Sequence, residues 1–308
     1  MSISVHQYRL KLLEAAAKMA LPFMPFCLLV SMTGGCGKNE SAQPKATAMA
    51  KINVVAAENF YGGVAQQIAG DSASVTSILT NPNQDPHEFA ADASTAKSVA
   101  DADIVIYNGL GYDDWMEKLL AVQSKSGRIV IRVADLIGFT NGDNPHIWYD
   151  PRTMPLLATK LSDILKQTNN LIAFQNEMNS VTTKIAEIKS ARADTIVTAT
   201  EPVFGWMSRA LGFKSINNEF QRAVMNDTEP SFQQTADFEK SLREKTVKIL
   251  FYNSQVTDPT TQRMLDLAKN SGVPVVGVTE TQPLETKDYV DWMLSELNDI
   301  EAALQGNH

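Results

Sequence analysis

Ile104-Val105-Ile106-Tyr107 is an uninterrupted apolar run, and three of its four residues are β-branched. A strand with one wet face alternates apolar and polar residues. A run without alternation fits a strand buried on both faces, as in a parallel sheet covered by helices. Working outward, similar runs stand at Ile52–Val55, Val75–Leu79 and Ile129–Val133. Helical spacing fills the intervals at Tyr61–Ala69, Ala93–Ala100 and Asp114–Val122. This alternation predicts a parallel sheet with helices on both faces. A second series follows, with strands at Thr195–Ala199, Lys248–Tyr252 and Val275–Val278 and a weaker one at Lys214–Asn217. Its helices are expected at Phe204–Leu211, Ser231–Glu244, Thr260–Asn270 and Lys287–Leu304.

Between the two series the pattern is helical throughout. Asp150-Pro151 suits a helix start, and Thr168-Asn169-Asn170 reads as a break. From Leu171 to Arg192 the apolar residues Phe174, Met178, Val181, Ile185 and Ile188 fall on one stripe. That segment spans roughly 30 Å, about a domain diameter. The expected fold is α/β: two lobes, each a small parallel β-sheet covered by helices, joined by a long rigid connecting helix. The cleft between two such lobes is a preferred ligand site. The stiff connector is expected to limit lobe movement relative to flexibly hinged binders.

The first 35 residues read as a secretory signal. Arg9, Lys11 and Lys18 precede an apolar run from Met19 to Val30, and Thr33-Gly34-Gly35-Cys36 supplies the small-residue end. The apolar run is shorter than the ~20 residues that span a bilayer. Gly-Gly-Cys resembles a bacterial lipobox, in which Cys36 is lipidated, although Thr33 stands where Leu is usual. The alternative is ordinary secretion with Cys36 as a bystander. The second cysteine, Cys27, lies in the leader, so the mature body has no intramolecular disulfide to form. Residues 36–50, polar and aperiodic, read as a flexible tether. The body then divides into an N-terminal α/β lobe at 51–169, a connecting helix at 170–192 and a C-terminal α/β lobe at 193–308. The formal net charge of −8 becomes −10 once the leader's three basic residues and one acidic residue are removed. An acidic chain without basic clusters is a poor nucleic-acid binder.

Four histidines occur; His6 lies in the leader and His308 is the last residue, which leaves His87 in Asp85-Pro86-His87-Glu88 and His146 in Asn144-Pro145-His146-Ile147-Trp148. Each follows a proline on a loop beyond a strand, where open parallel sheets bind ligands. The same rule singles out Glu201, just after Thr195–Ala199, and Glu280, just after Val275–Val278. Each lobe thus offers two metal-ligating side chains to the cleft. Helix capping is the bland role for either glutamate.

With these residues assembled, the chain from about Ile52 to Leu304 resembles the zinc/manganese substrate-binding lipoproteins of ABC importers, some of which are called adhesins. The resemblance is carried by Asn59-Phe60-Tyr61, Asn81-Pro82 with Asp85 to Phe89, Tyr107-Asn108-Gly109-Leu110-Gly111, Asn144 to Trp148 with Asp150-Pro151, Phe204-Gly205-Trp206 and Val278-Thr279-Glu280. It implies a chelatase-like fold with a helical backbone. It further implies that His87, His146, Glu201 and Glu280 hold a divalent transition metal, Mn²⁺ or Zn²⁺, as transported ligand. Many zinc-type members carry His three residues before the Phe-Gly-aromatic motif; here that position is Glu201, as in manganese-type members. The zinc type's long His-rich loop before the second histidine is replaced by a short segment from Gly138 to Pro145. The implied partners are an ABC permease with a separate ATPase subunit and the membrane through lipid on Cys36. The location is periplasmic or cell-surface, and the protein is expected to be a monomer and not an enzyme.

Two imidazoles and two carboxylates suit a zinc tetrahedron, and the carboxylate oxygens also suit manganese. Because both imidazoles must be neutral to bind, affinity is expected to fall below about pH 6; a flat titration from pH 8 to 5 would exclude the histidine pair. Two other classes fit part of this pattern. A secreted metallohydrolase fits the donor types, but no His-Glu-x-x-His, Gly-x-Ser-x-Gly or Gly-x-x-x-x-Gly-Lys motif is present. A surface adhesin fits the resemblance, but no partner surface is marked in the sequence. Asn226 to Pro230 reads as a turn before a helix capped at Ser231. Trp115, Trp148 and Trp206 read as packing residues. Asp85, Glu88, Asn108 and Asp150 are the neighbours available to orient the histidines.

Overall fold

The structure is a computed structural model that describes residues 51–82, 89–255 and 258–306. The leader at 1–35, Cys36, the tether at 36–50, and His87 with its neighbours Asp85 and Glu88 lie outside the described residues.

The first half comprises β1 (Ile52–Glu58), α1 (Asn59–Ala69), β2 (Ala73–Leu79), α2 (Ala93–Asp101), β3 (Ile104–Tyr107), α3 (Asp114–Val122), β4 (Ile129–Arg132) and α4 (Val133–Ile137). Its strands pair in parallel in the order β2-β1-β3-β4. Two helices follow, α5 (Thr153–Leu165) and α6 (Thr168–Arg192). The second half comprises β5 (Ile196–Ala199), α7 (Gly205–Ala210), β6 (Lys214–Ser215), α8 (Asn218–Met225), α9 (Phe232–Arg243), β7 (Ile249–Asn253), α10 (Pro259–Ser271), β8 (Val275–Val278) and α11 (Tyr289–Gln305). Its parallel order, β6-β5-β7-β8, repeats that of the first sheet. In each sheet the order reverses between the first and third strands, which places a topological switch point beside β1 in one lobe and β5 in the other.

Local chemistry accounts for most boundaries. Ile104 to Tyr107 is buried at all four positions, as its unbroken apolar run requires. Ser231 and Gln234 form a reciprocal capping box at the start of α9, so the preceding segment is the expected turn. Asp258 caps α10, with Pro259 at its first position. Gly62 lets α1 lie close on β2: a Cβ there would meet Ser77 Oγ at 1.9 Å.

Three details differ from the sequence reading. The helix after Pro151 begins at Thr153, because the Asp150 carboxylate accepts from the Arg152 amide and guanidinium. The break between α5 and α6 falls at Lys166, which takes the left-handed conformation (φ 59°); Thr168 to Asn170 form the first turn of α6. Val133 leaves the strand and opens α4, which Gly138 ends at φ 76°.

α6 is about 37 Å long at 1.5 Å per residue. It buries the expected stripe of Phe174, Met178, Val181, Ile185 and Ile188 against α1, α5 and α11. Burial of each such side chain contributes about 2 kcal/mol. α11 returns across the molecule, where the Tyr289 hydroxyl donates to Trp148 O (2.6 Å) and Lys184 pairs with Glu301 (2.7 Å). A chain of rings runs from Phe60 through Trp148, Tyr149 and Phe204 to Phe251, with neighbouring centroids 4.8 to 6.1 Å apart. One apolar core therefore continues from the first sheet to the second, and the strand ends of both lobes meet over it.

Candidate metal centre

His146 is fully buried at the start of a 3-10 turn over Ile147–Tyr149. Its Nδ1 lies 2.7 Å from Asn144 Oδ1, which also accepts the His146 amide at 3.1 Å. The identity of that amide oxygen follows from the other end of the side chain: Asn144 Nδ2 donates to Pro202 O at 2.6 Å. An oxygen acceptor at Nδ1 requires a proton there. The lone pair is thereby left on Nε2, the nitrogen that a metal would take. Nε2 has no hydrogen-bond partner among the described residues. Glu280 Oε2 stands 3.5 Å from it.

The loop carrying His146 is fixed from both lobes. Asn108 Nδ2 donates to Pro145 O (2.9 Å), and the Tyr61 hydroxyl donates to Asn108 Oδ1 (2.7 Å). From the second lobe, Trp206 Nε1 donates to Asn144 O (3.0 Å). Gly205 permits this approach, since a Cβ there would lie 2.9 Å from Asn144 Nδ2.

Glu201 and Glu280 are also buried, at 4% and 0% exposure. Each stands two residues beyond its strand, Glu201 after β5 and Glu280 after β8. Asn253, the last residue of the intervening β7, donates to both, to Glu201 Oε2 at 2.5 Å and Glu280 Oε1 at 2.6 Å. The Tyr112 ring packs beside His146 at 6.1 Å. Burial and then the Glu280 carboxylate push its phenol well up, so a neutral hydroxyl faces the site. The geometry thus brings His146 and Glu280 together directly and links Glu201 to Glu280 through Asn253. Among the described residues no set of three or more His, Cys, Asp or Glu side chains closes on a single point. The Asn253 amide stands between the two glutamates, and His87 lies outside the described residues.

Beneath this spot is a second acidic pair. Glu58 ends β1 and is fully buried; burial, and then the charge of Asp113, raise its pKa well above the carboxylate range. Asp113 accepts the Asn108 and Gly109 amides at 2.6 and 2.8 Å, and its pKa is raised by burial to about 6. The amide donors favour the charge on Asp113 and so the proton on Glu58.

The strand-end rule singled out His146, Glu201 and Glu280, which are all buried here. It missed Asn144, Asn253, Gln255 and Glu58. Asn144 was within the motif already quoted, and its offset of two residues from His146 was the available signal. Asp150, considered for a histidine contact, pairs with Arg152 at 2.6 Å. Trp148 is fully buried, and Trp206 stacks on Phe139 at 4.2 Å, consistent with packing roles.

The family described as ZnuA, zinc-uptake complex component A, periplasmic, matches residues 54–303. The chain belongs to that family. All of both sheets except the first two residues of β1, the connecting helix and the three buried side chains lie within the matched span. Among relatives, the manganese ABC transporter substrate-binding lipoprotein PsaA of Streptococcus mitis is 24% identical over 307 residues, covering 90% of this chain and 95% of the relative. The metal ABC transporter substrate-binding lipoprotein SloC of Streptococcus mutans is 24% identical over 267 residues, covering 79% and 85%. Of solved structures, the periplasmic zinc binding protein TroA from Treponema pallidum superimposes with a TM-score of 0.69 at 18% identity, covering 83% of this chain and 99% of that one. A Mn-bound periplasmic metal binding protein from Candidatus Liberibacter asiaticus gives 0.68 at 20% identity, covering 83% and 100%. These superpositions establish a shared two-lobed fold.

Proposed function

We propose that this protein is the extracytoplasmic binding component of an ABC importer, which captures Mn²⁺ or Zn²⁺ between its lobes and hands it to a membrane permease. Its proposed ligands are His87, His146, Glu201 and Glu280. The observation that carries the reading is the buried pair of His146 Nε2 and Glu280 Oε2, 3.5 Å apart, with the imidazole proton assigned to Nδ1 by Asn144. An imidazole nitrogen that is out of water without a hydrogen-bond partner among the described residues, and that faces a carboxylate oxygen, makes a favourable place for a cation between the two. The relatives named for manganese and metal transport support the cargo class. In this reading Cys36 carries a lipid anchor, 36–50 is the tether, and 51–169, 170–192 and 193–308 are lobe, connector and lobe. The protein acts as a monomer, has no catalytic role, and relies on a separate ATPase subunit.

The test is a competition titration of chelator-stripped protein with Mn²⁺ and Zn²⁺, on the native form and on Glu201→His. Exchange of an oxygen for a nitrogen donor is expected to move preference towards zinc by about tenfold or more. A native protein that takes up neither ion would overturn the reading.

A further inference from the structure

Asn253 occupies a place that neither glutamate can reach alone. β7 lies between β5 and β8, and the registers Ala199↔Phe251 and Asn253↔Val278 put its last residue between the loops that carry Glu201 and Glu280. The switch point of the second sheet, between β5 and β7, lies on the Glu201 side of this residue. The side chain is 2% exposed. Both of its amide hydrogens are used, one on an oxygen of each glutamate. Its orientation is set from behind: Oδ1 accepts the Gln255 amide at 3.1 Å, and the Asn253 amide donates to Thr200 Oγ1 at 3.3 Å. Gln255 extends the same frame. Its Oε1 accepts the Glu280 and Thr281 amides, while its Nε2 donates to Thr281 Oγ1 (2.6 Å) and to Pro82 O (2.7 Å) across the cleft.

A neutral donor at this point has two consequences. It relieves repulsion between two buried carboxylates and adds no positive charge of its own. A lysine in the same place would add one. The amide also engages one oxygen of each glutamate, Glu201 Oε2 and Glu280 Oε1, and Glu280 Oε2 is the oxygen turned towards His146. A carboxylate held in this way gives one oxygen to an ion more readily than two.

We infer that Asn253 is a specificity-determining residue: it makes both glutamates one-oxygen donors and thereby favours a four-coordinate ion, zinc, over manganese. The inference rests on the metal-capture reading above. Zinc accepts four nitrogen and oxygen donors as a tetrahedron. Manganese gains from the higher coordination number that two-oxygen carboxylates supply. Glu201, the manganese-type residue of the resemblance, is thus counterbalanced by an amide that limits how it binds.

Asn253→Leu keeps the branched shape and removes both donors, together with the Oδ1 acceptor of the Gln255 amide. In Mn²⁺/Zn²⁺ competition the variant is expected to bind both ions less tightly, with its Zn²⁺ to Mn²⁺ preference ratio shifted towards manganese by about tenfold. X-ray absorption at the zinc edge on the unmodified protein is expected to count four nitrogen and oxygen neighbours. An unchanged ratio in a folded variant, or five or six neighbours in the native zinc form, would overturn the inference and leave metal capture intact. If the native protein binds neither ion, metal capture fails and the inference falls with it. If Asn253→Leu does not fold, the neighbour count on the native protein decides.

Discussion

His146→Ala is expected to lower the affinity for Zn²⁺ and Mn²⁺ by more than a hundredfold. Altering a residue that merely orients a metal ligand typically costs 10- to 100-fold, and His146 itself is the proposed ligand. A hundredfold loss corresponds to about 2.7 kcal/mol. Asn144→Leu provides the graded control. It removes the acceptor that holds the proton on Nδ1, together with the donor to Pro202 O, and leaves the imidazole in place. It is expected to cost about 10- to 100-fold. Calorimetric titration of stripped protein measures both. Trp148 supplies an internal reporter, because its ring lies 5.2 Å from the imidazole and is wholly buried. Mn²⁺ is expected to quench its emission in the native protein and to leave it unchanged in His146→Ala. Native-like affinity in His146→Ala would remove His146 from the site, and native-like affinity in Asn144→Leu would show that the tautomer is set elsewhere.

The histidine was legible in the sequence because proline, a strand end and a scarce residue type coincide at one place. Glu201 and Glu280 were legible for a related reason: a parallel sheet directs its ligands beyond its carboxyl ends, and β5 and β8 are recognisable as short apolar runs. The amides were not legible. Asn253 looks like any polar residue closing a strand, and its role depends on β7 lying between β5 and β8, an order no local pattern encodes. Asn144 acts through a partner 58 residues away, Pro202. Local signals also failed where conformations compete. Val133 continues the β-branched run of β4, yet it opens α4, which Gly138 ends in the left-handed region. α8 was overlooked because it is short and follows Asn217, whose left-handed φ of 60° starts it abruptly. The shared strand order of the two lobes has no matching sequence repeat; the same topology is reached with different side chains.

The other large effect is on stability. Glu296 lies on α11 with its carboxyl buried, and desolvation pushes its pKa up to about 8, partly offset by donation from the Tyr149 hydroxyl and Trp292 Nε1. The surrounding hydrogen bonds fit a protonated acid. The Tyr149 hydroxyl is 2.8 Å from both Thr279 O and Glu296 Oε1 but has one proton to give. When that proton goes to Thr279 O, a proton on Glu296 completes the contact with the Tyr149 oxygen. In the unfolded chain the same carboxyl titrates near 4.5. Folding therefore takes up a proton between these values. The contribution to stability is fully present below about pH 4.5 and is lost as pH rises towards 8. The slope is about 1.4 kcal/mol per pH unit, and the total is on the order of 5 kcal/mol. Glu296→Gln keeps an acceptor for Tyr149 and Trp292 and cannot ionise. In thermal melts of metal-free protein between pH 5 and 8, the native midpoint is expected to fall by several degrees more than that of the variant. Glu58 and Asp113 are shifted in the same direction, so the variant retains a shallower slope of its own. Metal must be absent, because a bound ion adds its own pH-dependent stabilisation. Parallel pH curves for the two proteins would show that Glu296 is ionised in the fold, and that the desolvation of its carboxylate is offset by Tyr149 and Trp292 alone.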